Sequence, residues 1–247
     1  MIRTLLNSGL SFQEMILHGM VIFLVLSYSL SIHEFMHGFS AVKLGDDTPR
    51  LQGRLTMNPL AHLDPIGSLM MLLVGFGWAK PVQVNYSRLT RFKNRSISIR
   101  IVSLAGVTAN FLSAFIACFL FNVITLLMLR FNAGFSFSNP PVIYATSTML
   151  LSYLFEFNLL LMAFNLLPIP PLDGFHVLET LIPYKYREKF HRYEQYFSMA
   201  FFALIMMGFF LRVSPLITLV NFIRTPFEWL ITKPIGVLFD FIYRLMF

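Results

Sequence analysis

Charge is scarce in this chain. Only 13% of its 247 residues are Asp, Glu, Lys or Arg, against 56% hydrophobic residues and a mean hydropathy of +0.68. Soluble domains carry roughly a quarter charged residues, so a soluble globular reading is excluded in favour of a membrane-embedded one. Cysteine is nearly absent as well. The lone Cys118 rules out a disulfide scaffold, and its apolar setting says nothing about redox chemistry. There is no low-complexity tract, no internal repeat and no polar stretch long enough for an appended soluble domain, and with 28 phenylalanines a disordered chain is excluded too. Net charge is +7, yet no nucleic-acid partner is expected, because the basic residues gather at the ends of apolar runs as in cytoplasmic loops of membrane proteins.

What the chain does have is long uncharged runs. None of the 19 basic and 12 acidic residues lies between Glu14 and Glu34, Arg100 and Arg130, Arg130 and Glu156, or Glu194 and Arg212. Each gap approaches or exceeds the ~20 apolar residues that a helix needs to cross a bilayer. The first run lacks a small-residue cleavage site, so it is expected to stay as a helix rather than be removed as a signal peptide. That helix covers 13 to about 44, with Gly45 suited to end it. Alternation over Arg50 to Met57 and over Pro81 to Tyr86 predicts two short strands pairing as a hairpin. Between them, 59–78 carries Pro59, Pro65 and three glycines, which suits a segment that dips into the membrane and returns. Further spans are expected over 97–130, with a turn around Asn132 and Gly134, and over 141–167, stopping at Pro168, Pro170 and Pro171. A short helix over 173–182 with Asp173 near its start follows, then a span to about Leu211. Residues 213–247 are amphiphilic and fit either a crossing or an interfacial helix.

His33-Glu34-Phe35-Met36-His37 has the H-E-x-x-H spacing. Residues four apart share a helix face, so both imidazoles can bind one metal while Glu34 reaches a water on it. Chance supplies such a spacing in a chain of this composition with probability under about one in a hundred, so the motif is read as zinc hydrolysis. Its place inside an apolar helix points the same way, because ionisable groups there face a polar cavity or a metal. A catalytic zinc commonly takes three protein ligands, and the longer H-E-x-x-H-x-x-G-x-x-H pattern fails at Ser40 and Lys43. Asp46, Asp47, His62, Asp64, Glu156, Asp173, His176 and Glu179 are all candidates for the third. If 59–78 dips and returns, the basic loops 43–54 and 80–100 share the cytoplasmic side, and two later spans bring Asp173 back to that side, beside the histidines.

Three blocks together resemble the site-2 protease family of intramembrane zinc metalloproteases: His33-Glu34-x-x-His37, Ala105-Gly106-Val107-Thr108-Ala109-Asn110, and Asn165-Leu166-Leu167-Pro168-Ile169-Pro170-Pro171-Leu172-Asp173-Gly174. Leu55 to Gly67, with its Asn58-Pro59, and Gly77-Trp78-Ala79-Lys80-Pro81-Val82 are similar to the compact microbial members, which lack PDZ or CBS domains. The resemblance covers roughly 15–182 and departs at Val107, where the family often has proline. It implies one Zn2+ per chain held by His33, His37 and Asp173, with Glu34 as general base and transmembrane segments of membrane proteins as substrates.

Asn110 and Asn165, uncharged polar groups at helix depth, are candidate substrate-binding residues, with interhelical hydrogen bonding as the competing role. The expected architecture is an all-α polytopic membrane protein. A three-helix catalytic core at about 13–182 carries a membrane-associated β-hairpin or re-entrant segment, and one or two C-terminal helices occupy about 186–247, all in a single domain over 1–247. Expected partners are transmembrane substrate proteins, the lipid bilayer and a possible regulatory membrane partner, in a multi-pass, prokaryotic cell-membrane protein with its site toward the cytoplasm. The rival readings are a catalytically silent protein that binds membrane helices and a divalent-metal carrier using the same ligands. The carrier would require inverted repeats, which the chain lacks.

Overall fold

The computed structural model describes residues 9, 11–74, 79–131, 136–211 and 215–246. Helix α1 (Phe12–Lys43) starts in a capping box: the Ser11 hydroxyl accepts from the Glu14 N–H, and the Glu14 carboxylate accepts from the Ser11 N–H at 2.8 Å. It ends because Gly45 takes φ 112°, letting the Gly45 and Asp46 N–H groups turn back to the carbonyls of Val42 and Ala41. A side chain at Gly45 would also strike Thr90 and the Arg88 carbonyl, so this turn is where residues 88–91 fold onto the helix end.

The hairpin expected over 50–57 and 81–86 does not form. Instead, Thr48–Leu51 is a helical turn, α2, with Pro49 in its first turn, where a missing N–H goes unused, and Gly53 at φ 67° reverses the chain. Residues 81–85 form no strand, and the N–H groups that a partner strand would use are taken by carboxylates: Val82 donates to Glu34 and Asn85 to Asp46. Alternation in the sequence was therefore a poor guide, because charged acceptors from other elements hold this stretch of backbone. An isolated antiparallel bridge joins Leu63 to Ala79.

Two further short helices follow, α3 (Pro59–His62) and α4 (Pro65–Val74). The described part of α4, 10 residues, rises about 15 Å. Gly77 and Trp78, in the block noted above, and the turn at Asn132 and Gly134 lie outside the described residues.

Helices α5 (Arg95–Phe131) and α6 (Val142–Asn165) match the expected spans within a few residues. With α1 they are the three described helices long and apolar enough to cross a membrane. The buried face of α5 carries Ala105, Gly106, Ala109, Ser113, Ala114 and Ala117, small residues that let neighbouring helix backbones approach. Both α1 and α6 pack there. Helix α6 stops before Pro168, and the turn through Pro170 and Pro171 leads to α7 (Asp173–Leu181). Asp173 is its first residue, with Leu172 rather than Asp173 at the cap. Helices α8 (Tyr184–Leu211) and α9 (Pro215–Met246) complete the chain, and α9 stays helical through Pro226 and Pro234. Leu216, Val220 and Ile231 of α9 join Val107, Leu159 and Met162 of α5 and α6 in one apolar core.

Candidate metal centre

His33 and His37 lie one turn apart on the buried side of α1, and Asp173 approaches them from the first residue of α7. Their Nε2 atoms are 3.0 Å apart, and Asp173 Oδ2 lies 3.2 Å from His33 Nε2 and 3.3 Å from His37 Nε2. Three ligand atoms on a tetrahedral zinc, each at about 2.0–2.1 Å, are separated by about 3.3 Å, so this triangle has the size the metal requires.

The surrounding hydrogen bonds set the chemistry of the triangle. His37 Nδ1 lies 2.8 Å from the Val102 carbonyl, which can only accept, so Nδ1 carries the proton. His33 Nδ1 lies 2.6 Å from Asn110 Oδ1. The Asn110 amide nitrogen donates to the Ser29 carbonyl and to Asn158 Oδ1, which fixes Oδ1 as an acceptor and places the His33 proton on Nδ1 as well. Both Nε2 atoms in the neutral rings therefore present lone pairs, and they face a buried carboxylate oxygen that has no hydrogen-bond partner of its own. Three acceptors converging with no proton between them repel one another unless a cation sits among them, and this donor set fits zinc.

Glu34, between the two histidines in sequence, accepts the Val82 N–H on Oε2 at 2.8 Å, leaving Oε1 outside that bond. Gly106 packs directly against the pair: a Cβ there would come within 2.5 Å of His37 Nε2 and 2.7 Å of the His33 ring. Gly174 is equally confined, since a Cβ would run into the carbonyls of Leu166 and Leu167, and this contact seats the start of α7 against the Pro-rich turn. Tyr86, in a short 3-10 turn (Tyr86–Arg88), sets its ring 5.6 Å from that of His176; burial, helped by the nearby charges of Asp173 and Glu179, pushes its phenol up to about 12.

Other candidates for the third ligand are engaged elsewhere. Asp46 accepts from Thr48 and from the Asn85 N–H, Asp47 pairs with Arg50, and Asp64 accepts the Gly67 N–H. His62 is buried against the Thr56 carbonyl, Glu156 pairs with Arg224, and His176 lies 3.7 Å from Glu179, which also pairs with His191. Asn110 is fully buried, with its amide engaged by His33, Ser29 and Asn158. Asn165 donates to the Leu161 carbonyl, one turn back on its own helix. Sequence reasoning passed over Asn158, whose amide donates to Ser29 Oγ and the Leu154 carbonyl and closes a network across α1, α5 and α6. Its signal was available: a fully buried asparagine in an apolar span needs partners.

The profile of peptidase family M50 matches residues 21–208 of the chain. YwhC of Bacillus subtilis, named as a zinc metalloprotease, is 38% identical over 187 residues, covering 76% of this chain and 80% of the relative. Rip2 of Mycolicibacterium smegmatis, named likewise, is 34% identical over 156 residues. That alignment takes in 61% of this chain and 53% of Rip2, so the chain spans about half the length of that relative. Rip2 of Mycobacterium tuberculosis is 32% identical over 157 residues, with the same coverage. No solved structure matches the chain.

Proposed function

The chain belongs to peptidase family M50 and is an integral, multi-pass zinc metalloprotease of the membrane; from that premise we propose that His33, His37 and Asp173 hold one zinc and that Glu34 is the general base. The supporting observation is the convergence of three bare acceptor atoms, two Nε2 and one Oδ2, at 3.0–3.3 Å from one another.

The chemistry supplied by a zinc held by His33, His37 and Asp173 would be Lewis acidity, which brings the pKa of water toward about 7 and polarises a carbonyl oxygen. The chain's residues do the rest. Val102 and Asn110 hold both imidazoles as Nδ1–H tautomers, so neither ring has to rotate or lose a proton at Nε2 to act as a ligand. The Val82 N–H holds Glu34 through Oε2, leaving Oε1 to take a proton from the attacking water and deliver it to the leaving amine. Because a helical peptide hides its carbonyls in its own hydrogen bonds, the substrate segment must unwind locally before attack.

The substrates are membrane proteins cut in or beside their transmembrane segments. The protein belongs to a prokaryotic cell, and its site lies toward the cytoplasm, a side supported by the five basic residues from Arg88 to Arg100 at the start of α5. Residues 1–247 act as one membrane-embedded domain, with α8 and α9 appended to a core that ends at about 182.

The test is elemental zinc analysis of detergent-purified protein alongside cleavage of a transmembrane reporter. Wild type and Glu34→Gln should each hold about one zinc, with cleavage lost only in Glu34→Gln, while Asp173→Ala should lose both zinc and cleavage. Full zinc retention in Asp173→Ala would move the third ligand elsewhere, and cleavage by Glu34→Gln would remove Glu34 from the chemistry.

A further inference from the structure

A lateral groove of about 770 Å³ opens between α1 and α5, on a side that the metal ligands do not line. Met36, Phe39 and Leu44 form one wall, and Ile97, Ile101 and Leu104 the other. Two hydroxyls lie in these walls, and both are turned away: Ser40 Oγ donates to the His37 carbonyl and Thr108 Oγ1 to the Leu104 carbonyl, each on its own helix. Along its length the groove therefore offers van der Waals contact and almost no hydrogen bonding.

Its polar capacity is concentrated at one end. Lys43 is the last residue of α1, and Arg100 lies in the second turn of α5, so both stand where those helices approach the membrane surface. Arg100 bends toward that surface, its Nε donating one turn back to the Ser96 carbonyl, and Lys43 Nζ lies 5.5 Å from the Phe39 ring centroid. Neither cation has an acidic partner among the described residues, whereas Arg50, Arg192 and Arg224 do. Arg91, Lys93 and Arg95 add exposed positive charge on the same approach.

An apolar slot closed by two unpaired cations at headgroup level is complementary to one kind of molecule. We propose that this groove binds an anionic phospholipid, its acyl chain lying against Met36, Phe39, Ile101 and Leu104 and its phosphate between Lys43 and Arg100. A peptide in extended form would leave its N–H and C=O groups unpaired here, so the groove suits a lipid tail better than an unwound substrate. The bound lipid packs the outer side of the α1–α5 seam, whose inner side carries His37 and Gly106.

The experiment is native mass spectrometry on delipidated full-length protein in detergent, titrated with phosphatidylglycerol or phosphatidylcholine of identical acyl chains. Wild type should retain one phosphatidylglycerol with about twenty-five-fold preference over phosphatidylcholine, since each of the two basic residues at a charged lipid surface contributes roughly a fivefold factor. Lys43→Gln/Arg100→Gln should erase the preference, while Lys185→Gln/Arg192→Gln, away from the groove, should keep it. Thr108→Phe, which fills the slot and leaves both cations, should lower retention of both lipids; circular dichroism and gel filtration verify that each variant is folded. Equal retention of the two lipids by wild type, or an equal loss of preference in both charge variants, would overturn the proposal.

Discussion

Gly106 carries no donor, acceptor or charge, yet it decides whether two imidazoles can stand where they do. A methyl group there would lie 2.5 Å from His37 Nε2, and neither ring can swing freely away, because Val102 and Asn110 hold their far nitrogens. Replacing glycine by alanine inside a helix ordinarily stabilises it by about 0.5–1 kcal/mol. At this position the methyl meets two held rings at 2.5–2.7 Å, which outweighs that gain, so Gly106→Ala should lower the stability of the zinc-free protein and reduce zinc affinity at least about tenfold. Competition with a chromogenic chelator reads the affinity, and thermal unfolding of the stripped protein reads the stability. Unchanged zinc affinity would mean that the rings make room for the methyl and that Gly106 serves helix packing alone. Asn110 acts at the opposite nitrogen. Asn110→Ala removes the acceptor that fixes the His33 tautomer and strands Asn158, so zinc affinity should fall about 10–100-fold in the same assay, and unchanged affinity would show that the tautomer needs no partner.

At the scale of elements, the helices that carry the site are tied to the C-terminal part by charge as well as by packing. Arg224 on α9 reaches Glu156 on α6 at 2.5 Å and Glu228 on its own helix at 3.2 Å. Polar contacts between helices in membranes contribute about 0.6 kcal/mol on average and up to about 1.7 kcal/mol. Arg224→Met leaves two carboxylates without their cation and should cost about 1–2 kcal/mol, and adding Glu156→Gln should recover part of it. Thermal unfolding in one detergent checks both, and an additive double variant would mean that the ion pair does not couple α6 to α9.

Sequence reasoning could see Glu156 as an acid within an apolar span, but not its partner, because the register between α6 and α9 is set by packing far apart in the chain. The same limit explains what was legible elsewhere. The H-E-x-x-H pair follows from helix periodicity alone, and Asp173 follows from the parity of spans and the Pro-rich block before it. Val102, Ser29 and Asn158 act only through the cross-helix register of α1, α5 and α6, which no local spacing records. The hairpin failed for a related reason: the strand pattern over 81–86 is local, whereas the carboxylates of Glu34 and Asp46 that take its N–H groups come from 39 to 48 positions away in the sequence.

For the whole molecule, the consequence lies in how the ligand set divides along the chain. His33 and His37 are near the start, and Asp173 is some 140 residues later, beyond two spanning helices, so one ion held by the three, as proposed, would close a loop from α1 to α7. Without the ion, the bare acceptors of that loop repel one another, and that repulsion acts on the first residue of α7, a helix only nine residues long. Helices α5 and α6 pack on each other more extensively than any other pair, through contacts that do not run through the ion. Chelation should therefore lower the unfolding temperature of wild type, by the mass-action term for a ligand that binds the native state alone, about 4 kcal/mol at a thousandfold excess over Kd. It should also raise hydrogen exchange over 173–181 while leaving the middle of α5 protected. Asp173→Ala, already open, should show neither response to the chelator. If chelation exposes α5 and α6 together with α7, the ion is a fastener for the entire bundle, and the core of small residues on α5 is not self-sufficient.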